Sequence, residues 1–280
     1  LSQATPCKYV ENQITKQAFV DLLDIASKDL ISNAKLDKGT SPKALVMGDL
    51  FYARRANGIL CISSFAARTY KAISEKKIES YVPISILTEE VNTPPPISQS
   101  FDDPIRVLMV GHWTVRKGFY LALKAFQDLL DTDKFELIHL GLCTDPDIKK
   151  LSKQPGSGFR LLGHQPHQQA LATMRNSDIL LHPAYSEGAA YVILEAMHAG
   201  LAVLCSKNCI GPDVIEDGQT GIILPDILPS SIASKLGTLE FDRSRLLDIK
   251  RRAFEYSCSA LTKRGCAETL SQALSSLGIS

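Results

Sequence analysis

Asp178-Ile-Leu-Leu-His-Pro-Ala-Tyr-Ser-Glu187-Gly-Ala-Ala-Tyr-Val-Ile-Leu-Glu195-Ala-Met-His-Ala-Gly200, followed by Leu201-Ala-Val-Leu-Cys205, is the stretch that decides the fold. Ile179 to Leu181 is a short apolar run, the pattern of a strand buried on both faces. Ala189 to His198 holds helix-forming residues without Pro or Gly, and Gly200 supplies a stop. Leu201 to Leu204 is a second apolar run. Strand, loop, helix and strand in that order make a βαβ unit.

The loop between the first strand and the helix lies at the strand's carboxyl end, where open parallel sheets bind their ligands. Glu187 comes just before the expected helix start, and Gly188, Ala189 and Ala190 are small. Small residues leave the first-turn N–H groups open, and those groups favour a phosphate. Glu187 and Glu195 are eight positions apart, which on one helix would set them roughly 80° apart around the axis. With Glu187 still in the loop, both carboxylates can face one ligand lying across the helix end. Carboxylates suit sugar hydroxyls, because each offers two acceptor oxygens.

Working outward, the same rhythm continues. Ile105 to Val110 reads as a buried strand ended by Gly111, and a polar loop runs from His112 to Lys117. Gly118 to Leu130 reads as an amphipathic helix, Phe135 to Leu140 and Phe159 to Leu162 as strands, and Pro166 to Asn176 as a helix. This alternation implies a Rossmann-like parallel sheet, so the fold class is α/β. Helices are expected at Ser230–Gly237, Arg243–Tyr256 and Thr262–Leu277. On the amino side, Gly58 to Ile62 and Lys77 to Val82 read as strands, with a helix between them capped by Ser63-Ser64 and running to about Ile73. Tyr9 to Ser32 and Pro42 to Ala56 read as helices. Pro94-Pro95-Pro96 marks a linker.

Composition narrows the classes. The chain has 280 residues, 45% of them hydrophobic, enough for one large or two modest domains with a substantial core. The net charge of +1 gives no global basic excess that would point to nucleic acid. Seven Cys occur without a C-x-x-C pair, which argues for reduced thiols in a cytoplasmic setting. The sequence shows no signal peptide and no apolar run long enough to span a bilayer.

The string Glu187-x7-Glu195, followed by Gly211-Pro-Asp-Val-Ile-Glu-Asp-Gly218-Gln-Thr-Gly221, resembles the donor site of the family 4 (group 1) retaining glycosyltransferases of GT-B fold. The loop Gly111-His-Trp-Thr-Val-Arg116-Lys117-Gly118 is similar to that family's Gly-Arg-x4-Lys-Gly loop, with His112 where Arg is commonest. The resemblance implies a partial acceptor-side domain over residues 1–92, a linker at 93–103, a donor-binding domain over 104–262, and a final helix at 263–280 returning to the amino-terminal domain. Most of the front domain is expected to be missing, so the chain reads as part of a longer protein. Pro83-Ile-Ser-Ile departs from the Gly-Val-Asp that usually ends the front domain's last segment.

The resemblance assigns roles residue by residue. Lys117 and Glu187 are the catalytic candidates. Lys117, with Arg116 or His112 as second cation beside Gly111, would hold the donor's diphosphate. Glu187 would contact the transferred sugar's hydroxyls, and Gly188, Ala189 and Ala190 would offer N–H groups. The family more often has a bulky residue and then Gly where this chain has Ala189-Ala190. Glu195 would bind the nucleotide ribose, and the base would rest against the Gly163–Pro166 loop carrying His164.

The implied activity is transfer of a hexose from a nucleoside diphosphate sugar to a saccharide or lipid-linked acceptor, with retention, without a cofactor or metal ion. Peripheral membrane contact would belong to the missing front region. A non-catalytic nucleotide-sugar-binding module and a sugar-nucleotide epimerase of the same fold are the alternatives.

Other motifs carry less. Asp131-Thr132-Asp133 and Asp145-Pro146-Asp147 have a D-x-D form and sit in predicted loops. His164-x-x-His167 lacks an acidic partner for zinc. Cys205-x3-Cys209 reads as one buried Cys and one loop Cys, and Arg251-Arg252 as a solvated face.

Overall fold

The computed structural model describes residues 56–71, 75–82, 103–127, 129 and 134–279. The helices expected at Tyr9–Ser32 and Pro42–Ala56 lie outside the described residues, apart from Ala56, which is in no helix. The linker at 93–103 and the pair Asp131 and Asp133 also lie outside them, apart from Asp103.

A small parallel sheet pairs β1 (Gly58–Cys61) with β2 (Lys77–Ser80), and α1 (Ser64–Lys71) joins them. Phe65, Ala66, Ala67 and Tyr70 of α1 are buried on it, with Cys61 and Ile78 completing the cluster.

The large sheet contains β3 (Ile105–Val110), β4 (Phe135–Leu140), β5 (Phe159–Gly163), β6 (Ile179–His182), β7 (Ala202–Cys205) and β8 (Ile222–Ile223). Every pairing is parallel, and the spatial order is β5-β4-β3-β6-β7-β8. Counted from β3, this is the doubly wound order 3-2-1-4-5-6. The chain reverses direction between β3 and β6, so the crevice of the sheet opens at their carboxyl ends.

Strand residues alternate between two cores. Val107, Met109, Ile179, Leu181, Ala202 and Leu204 face one, with α2 (Phe119–Gln127) and α7 (Pro229–Phe241) packed against them. Leu108, Leu180, Val203 and Cys205 face the other, covered by Ile193, Leu194, Ala196 and Met197 of α5 (Tyr191–His198). Apolar runs without polar alternation therefore mark strands buried on both sides.

Between these elements come α3 (Pro146–Leu151), α4 (His167–Arg175) and the four-residue α6 (Gly211–Val214). The chain ends in α8 (Arg243–Ala260) and α9 (Lys263–Leu277). Thr262 caps α9 by accepting from the Gly265 N–H. α9 then leaves the large sheet for the small one: Ser276 Oγ donates to Glu79 at 2.7 Å, and Leu277 lies against Gly58. Among the described residues, no helix is long and apolar enough to cross a membrane.

Three local expectations are corrected. α5 begins at Tyr191, not at Ala189, because Ala190 takes a left-handed conformation at φ 46°. α2 begins at Phe119, because Gly118 is also left-handed, and the residues just before it form a 3-10 turn at Val115–Lys117. Asp145, placed in a loop by the sequence, stands at the start of α3. Its carboxylate caps α3 by accepting from the Asp147 and Ile148 N–H groups, and it also accepts from the Tyr120 hydroxyl.

Candidate functional site

The floor of the crevice is built where β3 and β4 end. Gly111 closes β3 at φ 121°, and Gly141 closes β4 at φ 144°. A Cβ on Gly141 would stand 2.1 Å from the Gly111 carbonyl oxygen, so only glycine lets the two chain ends pass this closely. The same carbonyl accepts from His139 Nε2 at 2.9 Å. Burial pushes the His139 imidazole down to about 4, so the ring is neutral at pH 7 and carries its proton on Nε2. The Trp113 ring packs edge-on against it, with ring centroids 5.0 Å apart, and the Trp113 backbone N–H donates to the Leu142 carbonyl.

From this floor the 3-10 turn carries Arg116 and Lys117 toward the end of β6. Gly118 follows at φ 72°, pressed against Pro183; a Cβ there would lie 2.0 Å from the Pro183 carbonyl oxygen. The Tyr185 N–H donates to the Arg116 carbonyl at 2.9 Å. The loops after β3 and β6 thus join across the sheet's reversal point.

Their side chains converge on one carboxylate. Lys117 Nζ lies 3.1 Å from Glu187 Oε2, and Arg116 Nη1 lies 2.9 Å from the same oxygen. Arg116 Nη1 also donates to the Ser186 carbonyl at 2.7 Å, and the Glu187 N–H donates to the Asn208 carbonyl at 3.0 Å. Lys117 and Glu187 are mostly buried, with side chains 16% and 18% exposed. Burial pushes the Glu187 carboxyl up, but Lys117 and Arg116 outweigh it, so its pKa lies below the ordinary carboxylate value. Behind this group His182 is fully buried, and among the described residues neither of its ring nitrogens has a hydrogen-bond partner. Its pKa is pushed down to about 4 by burial, with Lys117 adding to the effect.

Gly188 and Ala189 lead from Glu187 into α5, whose Ile193 N–H donates to the Ala190 carbonyl at 2.9 Å. Ala189, which the sequence placed at the helix start, lies before that helix. Glu195 sits a turn along α5 and forms no ion pair among the described residues. Burial pushes its carboxyl up, and His167 at the start of α4 partly offsets this.

The structure therefore brings Gly111, Arg116, Lys117 and Glu187 together, with Gly188, Ala189 and Ala190 continuing from them into the helix that carries Glu195. His112 and His164 are both exposed. The histidine in electrostatic reach of Glu195 is His167, three residues beyond His164. The sequence offered it only as half of a weak zinc pair. Cys209 is buried as well as Cys205, donating to the Ser206 carbonyl at 3.1 Å, so it is no open loop thiol.

A doubly wound sheet with a cationic pair, two carboxylates and a helix N-terminus gathered at its reversal point has the architecture of the GT-B class. Residues 92–256 match the family model for glycosyl transferases group 1, and the chain belongs to that family.

Among its relatives is an uncharacterized glycosyltransferase of Methanocaldococcus jannaschii, 28% identical over 168 residues, covering 58% of this chain and 40% of the relative. The lipopolysaccharide glucosyltransferase WaaG of Escherichia coli is 43% identical over 122 residues, covering 43% of this chain and 33% of that protein. The chain spans at most two fifths of the length of either. Among solved structures, Anabaena HepE in complex with UDP-glucose superimposes with a TM-score of 0.63 at 18% identity, covering 83% of this chain and 70% of that one. At that identity the likeness shows the GT-B fold.

Proposed function

We propose that this chain carries the donor half of a retaining glycosyltransferase, which moves a hexose from a nucleoside diphosphate sugar to a saccharide or lipid-linked acceptor. The observation that carries the reading is Glu187 held by Lys117 and Arg116 at the sheet's reversal point. HepE, whose structure contains UDP-glucose, supports the choice of donor class. WaaG, a lipopolysaccharide glucosyltransferase, supports a saccharide acceptor.

The chemistry follows from where charge develops. As the anomeric bond breaks, the leaving nucleoside diphosphate gains negative charge. Lys117, Arg116 and the N-terminus of α5 stabilise that charge, in a fixed arrangement that needs no reorganisation. Arg116 provides the second cation that His112 leaves out of the family's usual pattern. Glu187 holds both cations before the donor arrives, and then its acceptor oxygens serve the sugar's hydroxyls. Glu195 accepts from the ribose diol. No cofactor or metal ion is part of this scheme. We place the reaction in the cytoplasm, where the thiols stay reduced.

The test is calorimetric titration of the full-length protein with UDP, GDP and ADP. One nucleotide is expected to bind, with Glu195→Ala and Lys117→Ala each weakening it roughly ten- to hundredfold, the worth of a hydrogen bond to a charged group. Unchanged binding in both variants would reject the reading.

A further inference from the structure

The small sheet meets the Glu187 loop at one place, and the contact is specific. Ser63 lies just past the end of β1 and is 1% exposed. Its hydroxyl donates to the Gly188 carbonyl, 125 residues away in the chain, and accepts from the Ala66 N–H at 3.1 Å. The next N–H, of Ser64, donates to Asp213 Oδ2 at 2.9 Å. The amino end of α1 is thus satisfied from two sides, and Asp213 puts a negative charge where the helix dipole favours one.

Asp213 belongs to α6, which follows the loop of Asn208. The Asn208 carbonyl accepts the Glu187 N–H at 3.0 Å. The Glu187–Gly188 segment is therefore gripped at its N–H by one partner and at its carbonyl by another. A trans peptide is planar, with C=O and N–H opposed. Fixing the Gly188 carbonyl on Ser63 therefore aims the Ala189 N–H the opposite way. Ala190, the only described non-glycine residue at positive φ, follows at once. Such a conformation persists only where its surroundings impose it.

We propose that Ser63 and Asp213 are positioning residues that clasp α1 to the Gly188 loop. The clasp fixes the Gly188–Ala189 peptide, and with it the start of α5, for the donor. This rests on the donor reading above. The two residues act through the backbone that leads to Glu187.

The experiment uses full-length protein and the variants Ser63→Ala, Asp213→Ala and Asp213→Asn. Amide hydrogen exchange is measured without nucleotide, and affinity for UDP, GDP and ADP by calorimetry. In Ser63→Ala and Asp213→Ala, exchange over residues 187–192 is expected to rise about tenfold, while β3 and β4 keep wild-type rates. Affinity for the bound nucleotide falls about tenfold in the same two variants. Asp213→Asn keeps an oxygen for the Ser64 N–H and recovers both readouts.

Wild-type exchange in the variants overturns the proposal. So does exchange that rises equally through β3 and β4, which marks a general loss of stability, and so does faster exchange with unchanged affinity. If wild-type protein binds none of the three nucleotides, the donor reading falls, and the positioning role falls with it. The exchange comparison then still separates the two failures by showing whether the clasp itself exists.

Discussion

At the residue scale, the two carboxylates of the site are tuned in opposite directions, and each direction has a consequence. Glu187 has a folded pKa below its unfolded value. Its stabilising contribution is complete above the ordinary carboxylate range and is lost as pH falls through the lowered value. Glu195 has a folded pKa above its unfolded value. Its contribution is complete below the ordinary range and is lost as pH rises through the raised value, so at neutral pH the ionised group costs stability. Glu195→Gln is expected to raise Tm at pH 7, and less so near pH 4, while weakening nucleotide binding. A Tm lower than wild type at pH 7 in thermal melts would contradict this. Glu187→Gln removes the charge that occupies Lys117 and Arg116. Calorimetry should show a nucleoside diphosphate binding roughly tenfold tighter, a change of about 1.4 kcal/mol, while sugar transfer slows. Weaker nucleotide binding would mean the carboxylate organises the cations more than it competes for them.

At the element scale, the site depends on two left-handed residues that end one element and start another. Gly118 separates the 3-10 turn from α2 under the Pro183 carbonyl. Gly118→Ala would strain the backbone and clash, and urea denaturation should show a loss of about 2–4 kcal/mol. A loss under about 0.5 kcal/mol, the size of an ordinary surface change, would refute that packing. Ala190 occupies φ 46° where the family more often has glycine. The left-handed well explains that preference, since glycine enters it without a Cβ penalty. Ala190→Gly should fold at least as stably as the parent, whereas Ala190→Val should cost about 1–3 kcal/mol, since a β-branched residue tolerates this conformation worst. Equal stability of the two variants in urea melts would show that the conformation is not imposed.

At the scale of the whole molecule, one buried ion pair ties the sheet to the carboxyl-terminal helices. Asp178 is 3% exposed at the start of β6, accepts from the Arg106 N–H at 3.0 Å, and pairs with Lys250 of α8 at 2.7 Å. Asp178→Ala leaves the Lys250 ammonium without its partner and should cost about 3–5 kcal/mol in global unfolding. A change below about 1 kcal/mol would mean that Lys250 simply turns to solvent. The same helices lead into α9, which reaches back to the small sheet through Ser276 and Glu79, so the two sheets share one chain of contacts.

The order of strands and helices was legible in the sequence, because strands buried on both faces must be apolar throughout and their helices must stop at glycine or a polar turn. Ile105–Val110, Phe135–Leu140 and Ile179–Leu181 all read correctly for that reason. That Lys117 and Glu187 follow the ends of buried strands was legible too, since an apolar run closed by a polar loop marks such an end. Short elements without a periodic signal were not: β8 has two residues, α6 has four, and α3 begins at a D-x-D that read as part of a loop. Only the tertiary structure decided that Arg116 shares Glu187 with Lys117, that His167 and not His164 lies near Glu195, and that Ser63 holds Gly188. These are contacts between loops remote in sequence. A local pattern sets what a segment can become, but the order of the strands and the packing of the two sheets determine which loop ends meet.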